Sequence, residues 1–323
     1  FLASRSRQAL MHKYLFLLLI SIFLIAASPQ QTQPVSSCNA AYGGTVPDSL
    51  PAWLQSEIPV ADLATQNRYD LLAGELLKNA IVDGSSCPAG GLYPDGSPNG
   101  CGVDTTMPAV MEWQNRYDKA ILVFGQTSNV PPALMKAVIA AESQFWPGPN
   151  WVKGEIGLGQ MTGFGADLLL SYRPGYYRQV CSQALNGEEC SKEYSSLTDA
   201  NRAMLRGLVL KSLDATCASC PGGVDPVKGE VAVSVLAETM ASSCTQAGRV
   251  FRLATGKPPA SFLSYEDFWR LTLANYHSGA GCIFQSLRSV GNPTSWPAIT
   301  SGLSEGCKSG AWYVRRIEEN IRP

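Results

Sequence analysis

Glu142 stands in an unusual setting for a carboxylate. It closes the run Ala133-Leu134-Met135-Lys136-Ala137-Val138-Ile139-Ala140-Ala141. On a helix its neighbours three, four and seven residues back are Ile139, Val138 and Met135, all apolar. A carboxyl group beside a buried face loses hydration when it ionises, so its pKa rises. A carboxylic acid still protonated near neutrality can give its proton to a departing sugar oxygen. The plainer alternative is a helix-end glutamate paired with an arginine or solvated. Histidine narrows the choices further. Only His12 and His277 occur, and His12 lies within residues 1–28, which read as an export signal. One remaining histidine cannot build a multi-histidine metal site, and a Ser-His or Cys-His hydrolase would have to run through His277. Carboxylates and backbone groups are therefore expected to carry the chemistry, with no metal and no cofactor.

Glu142-Ser143-Gln144-Phe145 leads into a Pro/Gly/Trp loop and then into Gly157-Leu158-Gly159-Gln160-Met161-Thr162. Far downstream comes Ala274-Asn275-Tyr276-His277-Ser278-Gly279. In this order the segments resemble the lytic transglycosylases of the lysozyme-like superfamily. That family's signature is a helix ending in Glu-Ser-x-Phe, then Gly-Leu-Met-Gln, then Tyr-Asn-Ala-Gly. The run Ala137–Ala141 also resembles its catalytic helix. The likeness covers Val130–Phe164 and Leu271–Leu287, with a looser echo at Asp225-Pro226.

The resemblance implies a lysozyme-like helical domain that cleaves the glycan strands of bacterial peptidoglycan. It implies Glu142 as the single acid/base and Ser143 as a support for it or for the nearby sugar. Gln160, with backbone groups of Gly157–Met161, would line the glycan groove. Tyr276 would hydrogen-bond near Glu142 and orient it, and Gly279 would allow a tight turn. There are departures. His277 stands where the family has asparagine, a substrate-binding position at which an imidazole donor could replace the amide, alter the subsite or bring pH sensitivity. Gly159 replaces a larger apolar residue, which is expected to leave an opening or a more flexible loop. The stretch from Gln160 to Tyr276 is long, and its insert at 165–225 could form a lid or a groove wall.

Most glycosidases set two carboxylates across the scissile bond. Lytic transglycosylases are understood to use one, because the muramoyl 6-hydroxyl attacks its own anomeric carbon, and an intramolecular nucleophile removes the entropic cost of fixing a water. Candidate second carboxylates are Glu155, Asp167, Glu266 and Asp267. Glu155, two residues before Gly157, is the one to suspect, its plain role being a solvated loop charge. Two other classes stay open. One is a hydrolase on the same scaffold, lysozyme- or chitosanase-like, with Glu155 as base. The other is a non-catalytic glycan-binding wall protein with Trp146, Trp151 and Tyr172 as sugar-stacking surfaces.

The elements that must hold these residues read as mainly α. Pro131-Pro132 suits the start of the helix that ends at Glu142. Further helices are expected at Asp199–Leu213, Lys228–Ala241, Tyr265–Tyr276 and Ala311–Ile321. Leu63, Leu71, Leu72, Leu76 and Ile81 suggest helix within Leu50–Gly84. Ser85–Thr106 is rich in turn formers, so a boundary is placed near Thr106, with a linker and Cys-containing segment at 29–106 and the catalytic domain at 107–323. Arg5, Arg7 and Lys13 precede the apolar run Leu15–Ala27, and small residues follow at Ala26, Ala27 and Ser28. Residues 1–28 thus read as an export signal, with 1–10, ahead of Met11, as upstream read-through. Contact with a membrane is expected only through that segment if it is uncleaved. Ten cysteines behind it, including Cys217-x-x-Cys220, point to disulfides and a secreted or cell-envelope location. Hydrophobic residues make up 45% and charged residues 16%, which fits a folded globular chain. A formal net charge of -1 argues against nucleic acid as a partner.

Overall fold

In the computed structural model the described residues are 37–150, 152–217, 219–220 and 223–321. The expected export signal lies outside them. The fold is mainly α. In chain order the helices are α1 (Ser37–Tyr42), α2 (Asp70–Lys78), α3 (Gly100–Asn115), α4 (Asp118–Ser128) and α5 (Pro132–Glu142). A short antiparallel hairpin follows, β1 (Pro149–Asn150) with β2 (Glu155–Ile156). Then come α6 (Gly163–Tyr172), α7 (Pro174–Cys181), α8 (Gly187–Ser191), α9 (Asp199–Leu213), α10 (Pro226–Thr255), α11 (Tyr265–Val290), α12 (Trp296–Ser301) and α13 (Ser309–Ile321).

The 30-residue α10 is the axle of the fold. Asp225 caps its N-terminus by accepting from the Val227 backbone N–H at 2.9 Å, Pro226 occupies the first turn, and Gly256 ends it at φ 76°. Its buried stripe includes Val233, Leu236, Ala237, Met240, Cys244 and Phe251. Helices α1, α4, α6, α9 and α11 pack around it, and α13 packs on both α11 and α5. The site helix α5 is enclosed, with Leu134, Met135, Val138 and Ile139 all at 0% exposure. Each such side chain stabilises the fold by about 1.5–3 kcal/mol. Lys136 on α5 is buried too. Its ammonium donates to Asp118 at 2.7 Å and to Asn115 at 2.8 Å, tying α5 to the start of α4 and the end of α3. Removing one member of such a buried pair costs about 3–5 kcal/mol, because the other charge is left uncompensated.

Three expectations change. The helical pattern of Leu50–Gly84 condenses to α2 alone. Upstream of it, Pro51 and Pro59 introduce isolated 3-10 turns at Ala52–Leu54 and Val60–Leu63, whose leucines Leu54 and Leu63 still reach the core. The boundary placed near Thr106 falls inside α3, and the described residues cluster as one unit. Gly100–Asn115 can continue as helix because Asn99 caps it, accepting from the Gly102 N–H at 2.9 Å. The helices expected at Lys228–Ala241 and Tyr265–Tyr276 are each longer, extending to Thr255 and Val290.

The ten cysteines pair as Cys38–Cys244, Cys87–Cys101, Cys181–Cys190, Cys217–Cys220 and Cys282–Cys307. Such a set belongs to an oxidising compartment. Among the described residues no helix is long and apolar enough to cross a membrane.

Candidate active site

Helix α5 stops at Glu142 because the next residues leave helical geometry. Gln144 and Phe145 both adopt left-handed backbone, at φ 48° and 68°. Two consecutive side-chain-bearing residues there are costly unless the surroundings enforce them. Here they do. The Gln144 side-chain oxygen accepts from the Leu71 N–H at 2.8 Å, and the fully buried Phe145 ring lies 5.6 Å from that of Tyr69. The reversal leaves the Glu142 carboxyl at the helix end, half-buried.

Burial pushes Glu142 up to about 7, and the negative charge of Glu155 adds to the rise. A hydroxyl contact from Tyr313 and the charges of Arg316 and Lys153 oppose it. The Tyr313 hydroxyl is buried and faces Glu142 without reaching full hydrogen-bond geometry in this conformation. Arg316, one turn along α13, donates to the Ala141 carbonyl at the end of α5. Burial is the largest influence, so near neutrality this carboxyl is poised to give or take a proton.

The second segment forms the wall beside Glu142. The Ser143 hydroxyl, in a residue 2% exposed, donates to the Leu158 carbonyl at 2.8 Å, so it clips the helix end to this segment. Ile156 and Met161 exchange backbone hydrogen bonds at 3.0 and 2.9 Å, closing a tight loop between them. Gly157, at φ 78°, is buried against Leu213, and Met161 is 6% exposed. Both shape the loop from behind and do not line its open side. Gln160 folds back, its amide donating to the Gly157 carbonyl at 2.8 Å. Gly159 does not leave an opening. A Cβ there would lie 2.8 Å from Leu236 Cδ1 and 3.0 Å from the Tyr276 hydroxyl. The missing side chain lets Tyr276 donate to the Gly159 carbonyl at 2.7 Å. Tyr276 thus fixes the loop that flanks Glu142, and it reaches Glu142 through its field and not through a direct bond.

His277 stacks flat on Tyr313, with ring centroids 4.4 Å apart and planes 10° from parallel. Tyr276 lies near the same ring at 6.4 Å. Burial lowers the His277 pKa, and Arg316 and Lys153 lower it further. These influences all favour the neutral imidazole. Asn275, its neighbour but one, is buried and donates to Ser243 and Gln246, a core role. Among the other carboxylates, Glu155 pairs with Lys153 at 4.0 Å on the hairpin beside Glu142. Asp167 is held by Tyr194 and Arg206 between α6 and α9, and Glu266 and Asp267 are held by Arg270, which also binds Glu318 of α13. These three are structural partners of arginines. Trp146 is buried against Trp113, centroids 5.6 Å apart, which removes it as a sugar platform. Tyr172 is half-buried, and Trp151 lies outside the described residues. The 165–225 insert is built into the fold as α6–α9, and its Leu213 backs Gly157.

Tyr313 and Arg316 are the site residues that sequence reasoning missed. Both sit in an amphipathic C-terminal helix whose pattern announces only a buried face. Among the described residues no group of three or more His, Cys, Asp or Glu side chains is placed to hold a metal ion. No protein-family model matches the chain, and neither a curated protein nor a solved structure gives a match.

Proposed function

We propose that the chain is an exported bacterial enzyme with a lysozyme-like catalytic domain. It would cleave the β-1,4 bond between the muramoyl and glucosaminyl residues of peptidoglycan without consuming water. The observation that carries this reading is the Glu142 carboxyl, half-sequestered at a helix end with its pKa raised to about 7 and framed by Tyr276, Tyr313 and the Gly157–Met161 loop. As the acid, Glu142 donates its proton to the glycosidic oxygen, and the bond from the muramoyl anomeric carbon to that oxygen breaks. The muramoyl 6-hydroxyl then bonds to the same carbon and returns its proton to the Glu142 carboxylate. The product end is a 1,6-anhydro ring, and the catalyst is regenerated. The order of the three sequence segments and the five disulfides support the same reading. Mass analysis of products from purified sacculi tests it. Anhydromuropeptides are expected, one water lighter than hydrolysis products.

A second reading rests on Glu155, whose charge acts on Glu142 from the adjoining hairpin. With Glu155 as a base that activates water, the same site would hydrolyse the bond. Reducing muramoyl ends as the sole product would select that reading and sink the first.

A further inference from the structure

The two helices that meet at Glu142 run in opposite directions. Asn320 and Ile321 of α13 lie with Ala133, Ala137 and Ala140 of α5 around one shallow cleft. Further back along α13, Arg316 reaches the carbonyl of Ala141, and Tyr313 acts on Glu142 itself. Moving back along α13 is thus moving forward along α5. Trp312, one turn back from Arg316 and next to Tyr313, continues along α13 past the end of α5. It is 58% exposed. An indole left this open to water forgoes a large part of the 1.5–3 kcal/mol that burying a big apolar side chain supplies. It has a polar neighbour. The Arg316 guanidinium, itself anchored to the Ala141 carbonyl, lies 5.8 Å from the indole centroid.

We propose that Trp312 is a stacking platform for a pyranose ring of a β-1,4-linked N-acetylhexosamine strand, seated next to the bond that Glu142 cleaves. The inference rests on the reading of Glu142 as a glycan-cleaving acid, and it adds a binding residue that none of the three sequence segments contains. A pyranose offers an apolar C–H face with hydroxyls around its edge. An exposed aromatic ring bordered by a polar group matches that pattern, with the ring covering the apolar face and the Arg316 guanidinium, which also donates to the Ala141 carbonyl, beside its edge. The contact with Arg316 biases the indole toward this position before any ligand arrives, which reduces the side-chain freedom lost on binding. The occupant is argued from continuity with the site. A linear strand that reaches Glu142 runs along the end of α5, where α13 continues from Arg316 to Trp312.

The test uses the full chain carrying Glu142→Gln, so that binding is read without turnover, and the probe is the hexamer of N-acetylglucosamine. Titration calorimetry and tryptophan fluorescence report affinity, and near-ultraviolet circular dichroism reports folding. Adding Trp312→Ala is expected to weaken binding about tenfold or more, the effect of losing an aromatic anchor. Adding Trp312→Phe should recover most of the affinity. Adding Leu253→Ala, which truncates an equally exposed apolar side chain on α10, should change nothing. Equal affinity with and without Trp312→Ala would overturn the platform while leaving the Glu142 reading standing. So would an equal loss in the Ala and Phe variants, both folded. A Trp312→Ala effect on sedimentation with none on hexamer affinity would overturn it as well and mark a contact between copies. Failure of Glu142→Gln to bind hexamer or sacculi, with no cleavage by the unaltered chain, would overturn both readings.

Discussion

A glutamate with a pKa of about 7 is half protonated at neutral pH, so one residue can serve as donor and then as acceptor within a single turnover. Activity should fall as pH rises through about 7, because the acid form is lost. Glu142→Gln should lower turnover at least about 10²–10⁴-fold. The same shift acts on stability. The folded state holds this proton more tightly than the unfolded chain, whose glutamate titrates near 4.5. Between those two values each rise in pH therefore costs the wild type stability, and the glutamine variant escapes the cost. From pH 5 to pH 8 the variant should gain on wild type by roughly 3 kcal/mol at most. A pH-independent difference in thermal midpoint would show that Glu142 is not the buried acid described. Neighbours divide the control of that titration. Tyr313 lowers the Glu142 pKa, so Tyr313→Phe should move the alkaline limb of the pH–rate profile upward. His277 is biased toward its neutral form by burial and by two cations, so His277→Asn should leave that limb in place and alter only the acid side. A shift of the alkaline limb in His277→Asn would mean the imidazole acts on Glu142 directly.

At the scale of elements, α11 carries Tyr276 and His277 into the site and then bends. Gly279 sits at φ 79° and ψ 165°, a region closed to residues with a side chain, yet a Cβ there would meet nothing within 4 Å. Gly279→Ala should therefore cost about 1–3 kcal/mol of unfolding free energy from backbone strain alone, measurable by denaturant titration. A change near zero would show that the kink relaxes freely. The sequence announced some of this architecture and hid the rest. The Pro131-Pro132 start and apolar run of α5 were legible, and so was α9, whose bounds of Asp199–Leu213 are those expected. These segments carry their own start signals and buried stripe. Helix α10 was legible only in part, because small residues such as Ala241, Ser242 and Ser243 blur the apolar periodicity where they pack tightly against α11. The proximity of Tyr276 to Glu142 was expected only through the family resemblance, and the bond Tyr276 makes, to the Gly159 carbonyl, was not part of that expectation. The contributions of Tyr313, Arg316 and Gly159 are long-range contacts, which no local pattern encodes. The same holds for the leucines of 50–63, which are buried by tertiary packing without a regular helix.

Over the whole molecule the disulfides staple near and far. Cys38–Cys244 spans a sequence separation of 206 residues, whereas Cys181–Cys190 spans 9. In the chain-entropy account the longer closure stabilises by about 5 kcal/mol and the shorter by about 3. Replacing Cys38 and Cys244 together by serine should therefore lower the thermal midpoint more than replacing Cys181 and Cys190. The reverse order would place the stabilisation in local packing. Thiol titration of the denatured, unreduced protein should find almost no free thiol.

The Cys38–Cys244 bridge also decides how the molecule would bear a pull. Tension applied between Ser37 and Ile321 crosses from Cys38 straight into the middle of α10 through a covalent bond. Everything between the two cysteines, including Glu142 and the Gly157–Met161 loop, hangs off the load path as a slack ring. Helices α11 and α13, which carry Tyr276 and Tyr313, lie on the strained side. Force would peel the two tyrosines from the acid while the acid's own surroundings stayed unstretched. In an optical trap the oxidised protein should yield a short extension, and the reduced protein a far longer one.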